Sequence, residues 1–208
     1  MFAIQSRSLK RPHRPLSRIG GFSLVEIMIT LAIAVILVLV AVPQYQSTIQ
    51  SQKTSSGINN LLNDLEFTRS EAIKEGQFVS ICVSSGGTSC TTSSTWDQGW
   101  IVYTNPSASN SSSQTFAAGT SVILRMQPAL PSGYTMATNP AGTTQVTFTR
   151  DGFSNDSTGA SLNALFTLST TATNTSATRC LWLDQLGRQY GGQKHGQAAA
   201  PGQSTSCT

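Results

Sequence analysis

The feature that most constrains this chain is an almost uninterrupted apolar stretch from Phe22 to Val42. As a helix rising about 1.5 Å per residue, the stretch is roughly 31 Å long, which is the thickness of a bilayer's hydrocarbon core. Five of the 13 basic residues precede it and none lies within it. By the positive-inside rule, this arrangement orients the N-terminus toward the cytoplasm and places everything after Val42 outside. The sequence therefore predicts a basic leader over residues 1–21 and a single membrane-spanning segment over residues 22–42.

The basic character of the chain belongs to that leader. The sequence carries a net charge of +4, but without the five leader cations its 8 remaining basic residues face 9 acidic ones, a net charge of −1. Charged residues make up only 11% of the chain, which is unlike a classical nucleic-acid-binding protein. The high isoelectric point therefore arises from the cations of a targeting segment. The five leader cations are Arg7, Lys10, Arg11, Arg14 and Arg18.

Glu26 is the only charged residue inside the apolar stretch. Inserting a carboxylate there costs about 2.5 to 3.5 kcal/mol, so such a group normally has a partner. Cleavage between Gly21 and Phe22 would create a cationic amine one helical turn away, which an adjacent copy could also supply in trans. A conventional secretory signal fits poorly, because no small-x-small cleavage site follows the apolar core. A plain signal anchor on an unrelated exported domain remains open.

The residues Gly20 to Glu26, G-G-F-S-L-V-E, followed by the apolar run, resemble the class III prepilin signal of type IV pilins and type II secretion pseudopilins. The resemblance implies that a membrane aspartyl prepilin peptidase cleaves after Gly21 and that the new N-terminal Phe22 is methylated. It also implies that Glu26 pairs with the N-terminal amine of an adjacent subunit during assembly. The mature protein would keep its apolar segment in the bacterial inner membrane, with its head in the periplasm, until it joins a filament.

Residues 43–76 predict an amphipathic continuation of the same helix. Pro43 removes an amide donor and crowds the preceding turn, so we expect a kink there. Gly76 is a candidate C-cap. Apolar residues then recur at spacings near three and four, which indicates a helix with one buried face; they are Tyr45, Ile49, Ile58, Leu61, Leu62, Leu65, Ala72 and Ile73.

Residues 77–190 predict a β-rich head, and residues 191–208 a flexible tail tied at most by Cys207. Short runs rich in β-branched and aromatic residues alternate with polar loops, of which 84–95 and 104–120 are long enough to contact a neighbour. The fold class is therefore α+β, a long N-terminal helix packed on antiparallel sheet. The predicted strands are Phe78–Val83, Gly99–Tyr103, Val122–Met126, Gln145–Thr149, Leu162–Ser169 and Arg179–Leu183.

Four cysteines follow the apolar segment, an even number that favours disulfides in an exported domain. Of the three possible connectivities we favour the local pairs Cys82 with Cys90 and Cys180 with Cys207, while free buried thiols remain the alternative. No cysteine or histidine spacing suggests zinc. Asp151 and Gly152 predict a tight turn. Calcium binding by Asp151 and nearby oxygens is disfavoured because the spacing is incomplete for an EF-hand loop, so we expect neither metal nor cofactor.

Two further motifs extend the resemblance into the head. The R-S-E-A sequence that begins at Arg69 and the W-x-x-G-W sequence from Trp96 to Trp100 resemble the GspH/FimT group of minor pilins and pseudopilins. That group implies a pilin-like fold, a role in assembly with other pilins or pseudopilins, and no enzymatic activity. We interpret both tryptophans as core residues.

An enzyme is also disfavoured by the residues themselves. Beyond the leader the only histidine is His195, and no phosphate-binding loop or metal-binding histidine pair appears. The serious alternative is DNA uptake, because some FimT-type proteins resemble DNA receptors with a C-terminal G-R-x-R motif. Here Gly187 and Arg188 match, whereas Tyr190 replaces the second arginine. Arg179, Arg188 and Lys194 would then contact phosphates while Tyr190 stacks on a base.

Overall fold

A computed structural model describes residues 21–106, 115–170, 175–197 and 206–207. The leader up to Gly20, the centre of the 104–120 loop and most of the last eleven residues lie outside the described residues. The chain separates into two compact units, the first ending at Pro43 and the second beginning at Gln44. Each unit is described by itself.

Helix α1 extends from Leu24 to Glu75. Its first turn includes Glu26, and the amide of Ile27 donates to the carbonyl of Ser23. The side chains from Leu24 to Val42 are exposed, and by length and composition this is the one helix within the described residues that could cross a membrane. The helix is assigned through Pro43 without interruption, and the kink there stays a prediction.

Gly76 ends the helix as a C-cap. Its φ is +63°, which glycine adopts without strain because it has no β-carbon. The amide of Gln77 then donates to the carbonyl of Ala72 at 3.3 Å. This six-to-one hydrogen bond is the one expected of a Schellman motif, and it turns the chain directly into the first strand.

Nine strands follow within the described part of the chain, arranged as two antiparallel sheets. The first sheet has the order β3-β2-β1-β5-β6 and the second the order β4-β7-β8-β9. The strands are β1 (Phe78–Val83), β2 (Trp100–Asn105), β3 (Ile123–Gln127), β4 (Tyr134–Asn139), β5 (Gln145–Phe148), β6 (Ser154–Asn155), β7 (Ala164–Thr170), β8 (Arg179–Leu183) and β9 (Gln189–Lys194).

Both sheets share one core with the second half of α1. The buried helix face meets apolar side chains of both sheets. Trp96 packs edge-on against Phe166 of β7, with ring centroids 5.1 Å apart. Trp96 and Trp100 are completely buried, which confirms their interpretation as core residues. The helix residues of this core are Ile58, Leu61, Leu65 and Ala72.

The six predicted strands are present, two with the predicted bounds and four with shifts of at most two residues, but the prediction missed β4, β6 and β9. The flexible tail from residue 191 was partly wrong, because β9 continues to Lys194. Beyond it, the amide of Gly196 donates to the carbonyl of Cys207, and Cys207 is buried. Cys207 is disulfide-bonded to Cys180 on β8, which confirms one of the two favoured pairs.

The remaining covalent and turn features agree with the sequence. Cys82 is bonded to Cys90, which confirms the other favoured pair. Residues 149–153 form the expected tight turn between β5 and β6, where the amide of Gly152 donates to the carbonyl of Thr149 at 2.8 Å. Gly152 has a φ of +83°, so the turn requires a residue without a β-carbon at this position.

Candidate functional site

The N-terminal candidate residues lie at the very start of α1. Gly21 and Phe22 precede the helix, and Glu26 lies in its first turn with an exposed side chain. No Lys or Arg occurs between Phe22 and Val42. A carboxylate on an apolar and exposed helix therefore has no cationic side chain on its own segment to neutralise it.

Arg179 was predicted to contact DNA, but the structure buries it. Only 6% of the residue is exposed. Its Nε and Nη2 donate to the hydroxyls of Ser55 and Ser51 on α1, at 3.1 and 2.6 Å. Nη1 donates to two backbone carbonyls, those of Ser176 and Thr178. The guanidinium is thus occupied in joining the second sheet to the helix, and this assignment of Arg179 to a DNA surface is corrected.

Arg188 lies in the turn between β8 and β9, and 56% of its side chain is exposed. Its Nε donates to Oδ2 of Asp184 at 2.7 Å, while Oδ1 of the same carboxylate accepts the amides of Leu186 and Arg188. The hydrogen bond and the charge of Asp184 raise the pKa of Arg188 above its usual value. Asp184 therefore both shapes the turn and partly neutralises the arginine.

Tyr190 and Lys194 lie on β9 but do not form a compact cluster with Arg188. Tyr190 is half-buried against the cluster that contains Trp182 and Cys207. Lys194 is exposed and lies opposite Arg179 at the far end of the strand. At about 3.3 Å per residue, the six residues from Arg188 to Lys194 span roughly 20 Å. The four candidate DNA contacts are therefore separated along the strand or buried.

Arg69, the first residue of the R-S-E-A motif, has a structural role that the sequence did not reveal. Its Nε donates to the carbonyl of Gly152 and its Nη2 to that of Leu186, both at 3.1 Å. A β-carbon on Gly187 would lie 2.1 Å from the Gly152 carbonyl oxygen and 2.9 Å from the Arg69 Nε. Arg69 therefore joins the β5–β6 turn to the β8–β9 turn through hydrogen bonds to both. The match to the motif was its only signal.

The W-x-x-G-W motif is connected to α1 through Asp64. Trp100 Nε1 donates to Oδ2 of Asp64 at 2.8 Å, and Arg125 Nη1 lies 3.0 Å from Oδ1. The Arg125 guanidinium also stacks 3.6 Å above the ring centroid of Phe67. These contacts orient the helix, the tryptophan turn and the edge strand β3 relative to one another. They are structural, and no group of three or more metal-ligating side chains occurs among the described residues.

Comparison with known families decides the identity. The family model for the type II transport protein GspH matches residues 57–187, which include the second half of α1 and both sheets as far as the β8–β9 turn. The chain belongs to the GspH family. It is a minor pilin or pseudopilin, a structural subunit. The apolar helix together with this family indicates anchoring in the inner membrane and assembly with other pilin-type subunits.

Solved structures of similar fold include the type IV minor pilin FimU of Pseudomonas aeruginosa, in two crystal forms, and the minor pseudopilin EpsH of the Vibrio cholerae type 2 secretion system. FimU in one form is 18% identical, with a TM-score of 0.49 over 69% of this chain and 95% of FimU. EpsH is 11% identical, with a TM-score of 0.43 over 73% of this chain and 99% of EpsH. Comparison with curated proteins finds no match.

Proposed function

We propose that this GspH-family chain is synthesised with a cytoplasmic leader that prepilin peptidase removes after Gly21, and that the new N-terminal Phe22 is methylated. The mature subunit is held in the inner membrane by the first part of α1, with its head in the periplasm. It leaves the membrane by packing that helix against the helices of neighbouring pilin-type subunits.

Glu26 carries this proposal. It is the single charged residue in an apolar helical segment whose side chains are all exposed. Cleavage after Gly21 places an amine on Phe22, four residues before the carboxylate, and four residues is about one helical turn. An adjacent subunit offers the same amine in trans. Pairing the two charges removes the cost of holding the carboxylate in lipid and fixes the axial register between neighbouring helices.

The periplasmic placement of the head has two supports. The leader contains five cations and no acidic residue, which favours a cytoplasmic N-terminus. The head contains two disulfides, and such bonds persist in the oxidising periplasm.

Mass spectrometry of the protein purified from membranes tests the processing. We expect a chain that begins at Phe22 and carries one methyl group on its terminal amine. Gly21→Val should leave the leader attached, because a branched side chain replaces the glycine at the cut. A natural chain that begins at Met1, or downstream of Val42, would refute the proposal.

We do not extend the proposal to DNA capture. Of the three cations predicted to contact phosphates, Arg179 is buried, and Arg188, partly neutralised by Asp184, lies about 20 Å along the strand from Lys194. Binding by such a set would be weak and strongly salt-dependent. Retardation of duplex DNA by the purified protein at low salt, abolished by Arg188→Ala, would overturn this judgement.

A further inference from the structure

An open groove with a volume of about 470 Å³ separates the end of α1 from the β8–β9 turn. The helix contributes Glu66, Arg69, Ser70 and Ile73 to one wall. Gly187, Arg188 and Gln189 form the other wall. Its size is within the range of sites that bind small molecules or short peptide segments.

We propose that this groove binds an extended peptide segment that carries a carboxylate, supplied by a neighbouring pilin-type subunit. The inference rests on the proposed function, and it adds a specific contact between heads to the packing of helices.

Two guanidinium groups give the groove its preference for a carboxylate. Arg69 is held in place by the carbonyls of Gly152 and Leu186, and Arg188 by Asp184. Each arginine keeps at least one terminal nitrogen that makes no hydrogen bond to the described residues. Because both groups are already oriented, little side-chain entropy is lost when they bind the planar oxygens of a carboxylate.

Gln189 points to a peptide as the rest of the ligand. Its Oε1 and Nε2 are both buried, and neither has a hydrogen-bond partner in the described part of the chain. Buried amide atoms are normally paired. Turning this side chain toward the groove breaks no hydrogen bond to the described residues, and there the N–H donor and carbonyl acceptor of one peptide unit would pair both amide atoms, whereas a phosphate offers only acceptors.

Apolar side chains at the rim extend the surface beyond the groove. Ile73 is 51% exposed, Phe153 47% and Leu186 43%. Ile73 lines the groove, Arg69 donates to the carbonyl of Leu186, and Phe153 follows Gly152, whose carbonyl also accepts from Arg69. Large exposed apolar residues around oriented arginines are characteristic of protein interfaces.

The test uses the full-length chain, ¹⁵N-labelled in detergent micelles, and follows the side-chain NH₂ resonance of Gln189. The probe is the capped tripeptide acetyl-Leu-Glu-Leu-amide, and the matched control is acetyl-Leu-Gln-Leu-amide. We expect a saturable shift with the glutamyl peptide and about tenfold weaker binding of the glutaminyl one, since the charge-assisted hydrogen bonds are lost. Arg188→Gln should weaken binding about tenfold for the same reason. Lys53→Gln removes an exposed cation outside the groove and should not change it.

The inference would be overturned if neither peptide produced a saturable shift or if both bound equally. It would also be overturned if Arg188→Gln and Lys53→Gln changed binding to the same extent. A larger shift with a short oligothymidylate would overturn it as well, since that would make the groove a nucleic-acid site. Mass spectrometry of the mature N-terminus distinguishes failure of the groove proposal from failure of the processing proposal. A correctly processed chain with a silent groove refutes the groove alone, and an uncut chain that binds the peptide refutes the processing alone.

Discussion

Arg179 on β8 donates from its Nη2 to the hydroxyl of Ser51 on α1 at 2.6 Å, although no carboxylate lies within ion-pair distance among the described residues. Its other bonds go to Ser55 and to backbone carbonyls. Neutral oxygens therefore accept hydrogen bonds from all three nitrogens of a buried guanidinium group. This arrangement fixes the second sheet against the helix at a point where the helix surface is polar.

Arg179→Ala should lower the free energy of unfolding by roughly 3 kcal/mol, because hydrogen bonds to a charged group contribute about 1.5 to 3 kcal/mol each and part of the cost of burying the charge is recovered. Arg188→Ala is the matched control. Its side chain is exposed and loses one ion pair, so we expect a change below about 1 kcal/mol. Urea denaturation of both variants measures the difference. Equal losses would show that Arg179 does not join helix and sheet.

Gly99 in the W-x-x-G-W motif has φ +96° and ψ 175°, a region almost restricted to glycine. An added β-carbon would lie 2.5 Å from the carbonyl oxygen of Gln127. Gly99→Ala should therefore reduce the free energy of unfolding by about 3 kcal/mol or more, from strain and backbone clash together.

Gly142→Ala separates the two causes. Gly142 has a φ of +88° but no atom within 4 Å of an added β-carbon. We expect a loss of about 1 to 2 kcal/mol from backbone strain alone. A Gly99→Ala variant no less stable than Gly142→Ala would show that the Gln127 carbonyl moves away without cost.

Low burial accounts for the two longer strands that the sequence missed, β4 and β9. Every residue of β1 and β8 is buried, so apolar and β-branched side chains dominate their sequences. In β4 only Met136 is buried, and β9 contains two glycines and no buried residue. Both are edge strands of the second sheet. Their pairing depends on neighbours distant in sequence, which local composition does not encode.

The central strands of both sheets and the two disulfides were predictable from the sequence, because local composition and cysteine spacing indicate them. The groove beside Arg69 was not. It lies between α1 and the β8–β9 turn, whose Leu186 follows Arg69 by 117 residues in the sequence. The burial of Arg179 was missed for a similar reason. Its partners Ser51 and Ser55 resemble ordinary polar helix residues until the sheet is placed against them.

The two disulfides close loops of different length, with sequence separations of 8 and 27 residues. In the loop-entropy model these contribute about 2.5 and about 3.5 kcal/mol respectively. Replacing Cys180 and Cys207 by serine should therefore cost about 1 kcal/mol more than replacing Cys82 and Cys90. Urea denaturation of the two double variants checks this order. A reversed order would mean that native-state contacts, rather than loop closure, determine the effect.

Burial raises the pKa of the Tyr103 hydroxyl above its usual range, and a hydrogen bond with Ser80 opposes this only in part. Above the ordinary tyrosine pKa of about 10, the unfolded chain loses this proton while the folded chain keeps it. The stabilisation is thus complete below pH ~10 and is lost as the pH rises. Tyr103→Phe should reduce the decline in stability above that pH, measured by urea denaturation between neutral and strongly alkaline solution. An identical decline in both proteins would contradict this assignment.

Glu26→Gln should still insert into the membrane, because it removes the one charge from the apolar segment. It should assemble poorly, because the N-terminal amine of the neighbouring subunit loses its anionic partner. Recovery of the subunit in sheared filaments, relative to the membrane fraction, measures the effect. Glu75→Gln is the control at the other end of α1 and should assemble normally. Equal recovery of Glu26→Gln and the natural protein would exclude a role for the carboxylate.

The buried face of α1 runs from Thr54 to Ala72, where both residues are fully inaccessible to solvent. Eighteen helical rises correspond to roughly 27 Å. Tension applied along this helix would act on all of its contacts with the sheets at once. The buried side chains would then have to slide past the sheets together before the head detaches. Such a shear geometry resists pulling far better than a domain that can be peeled open from one end.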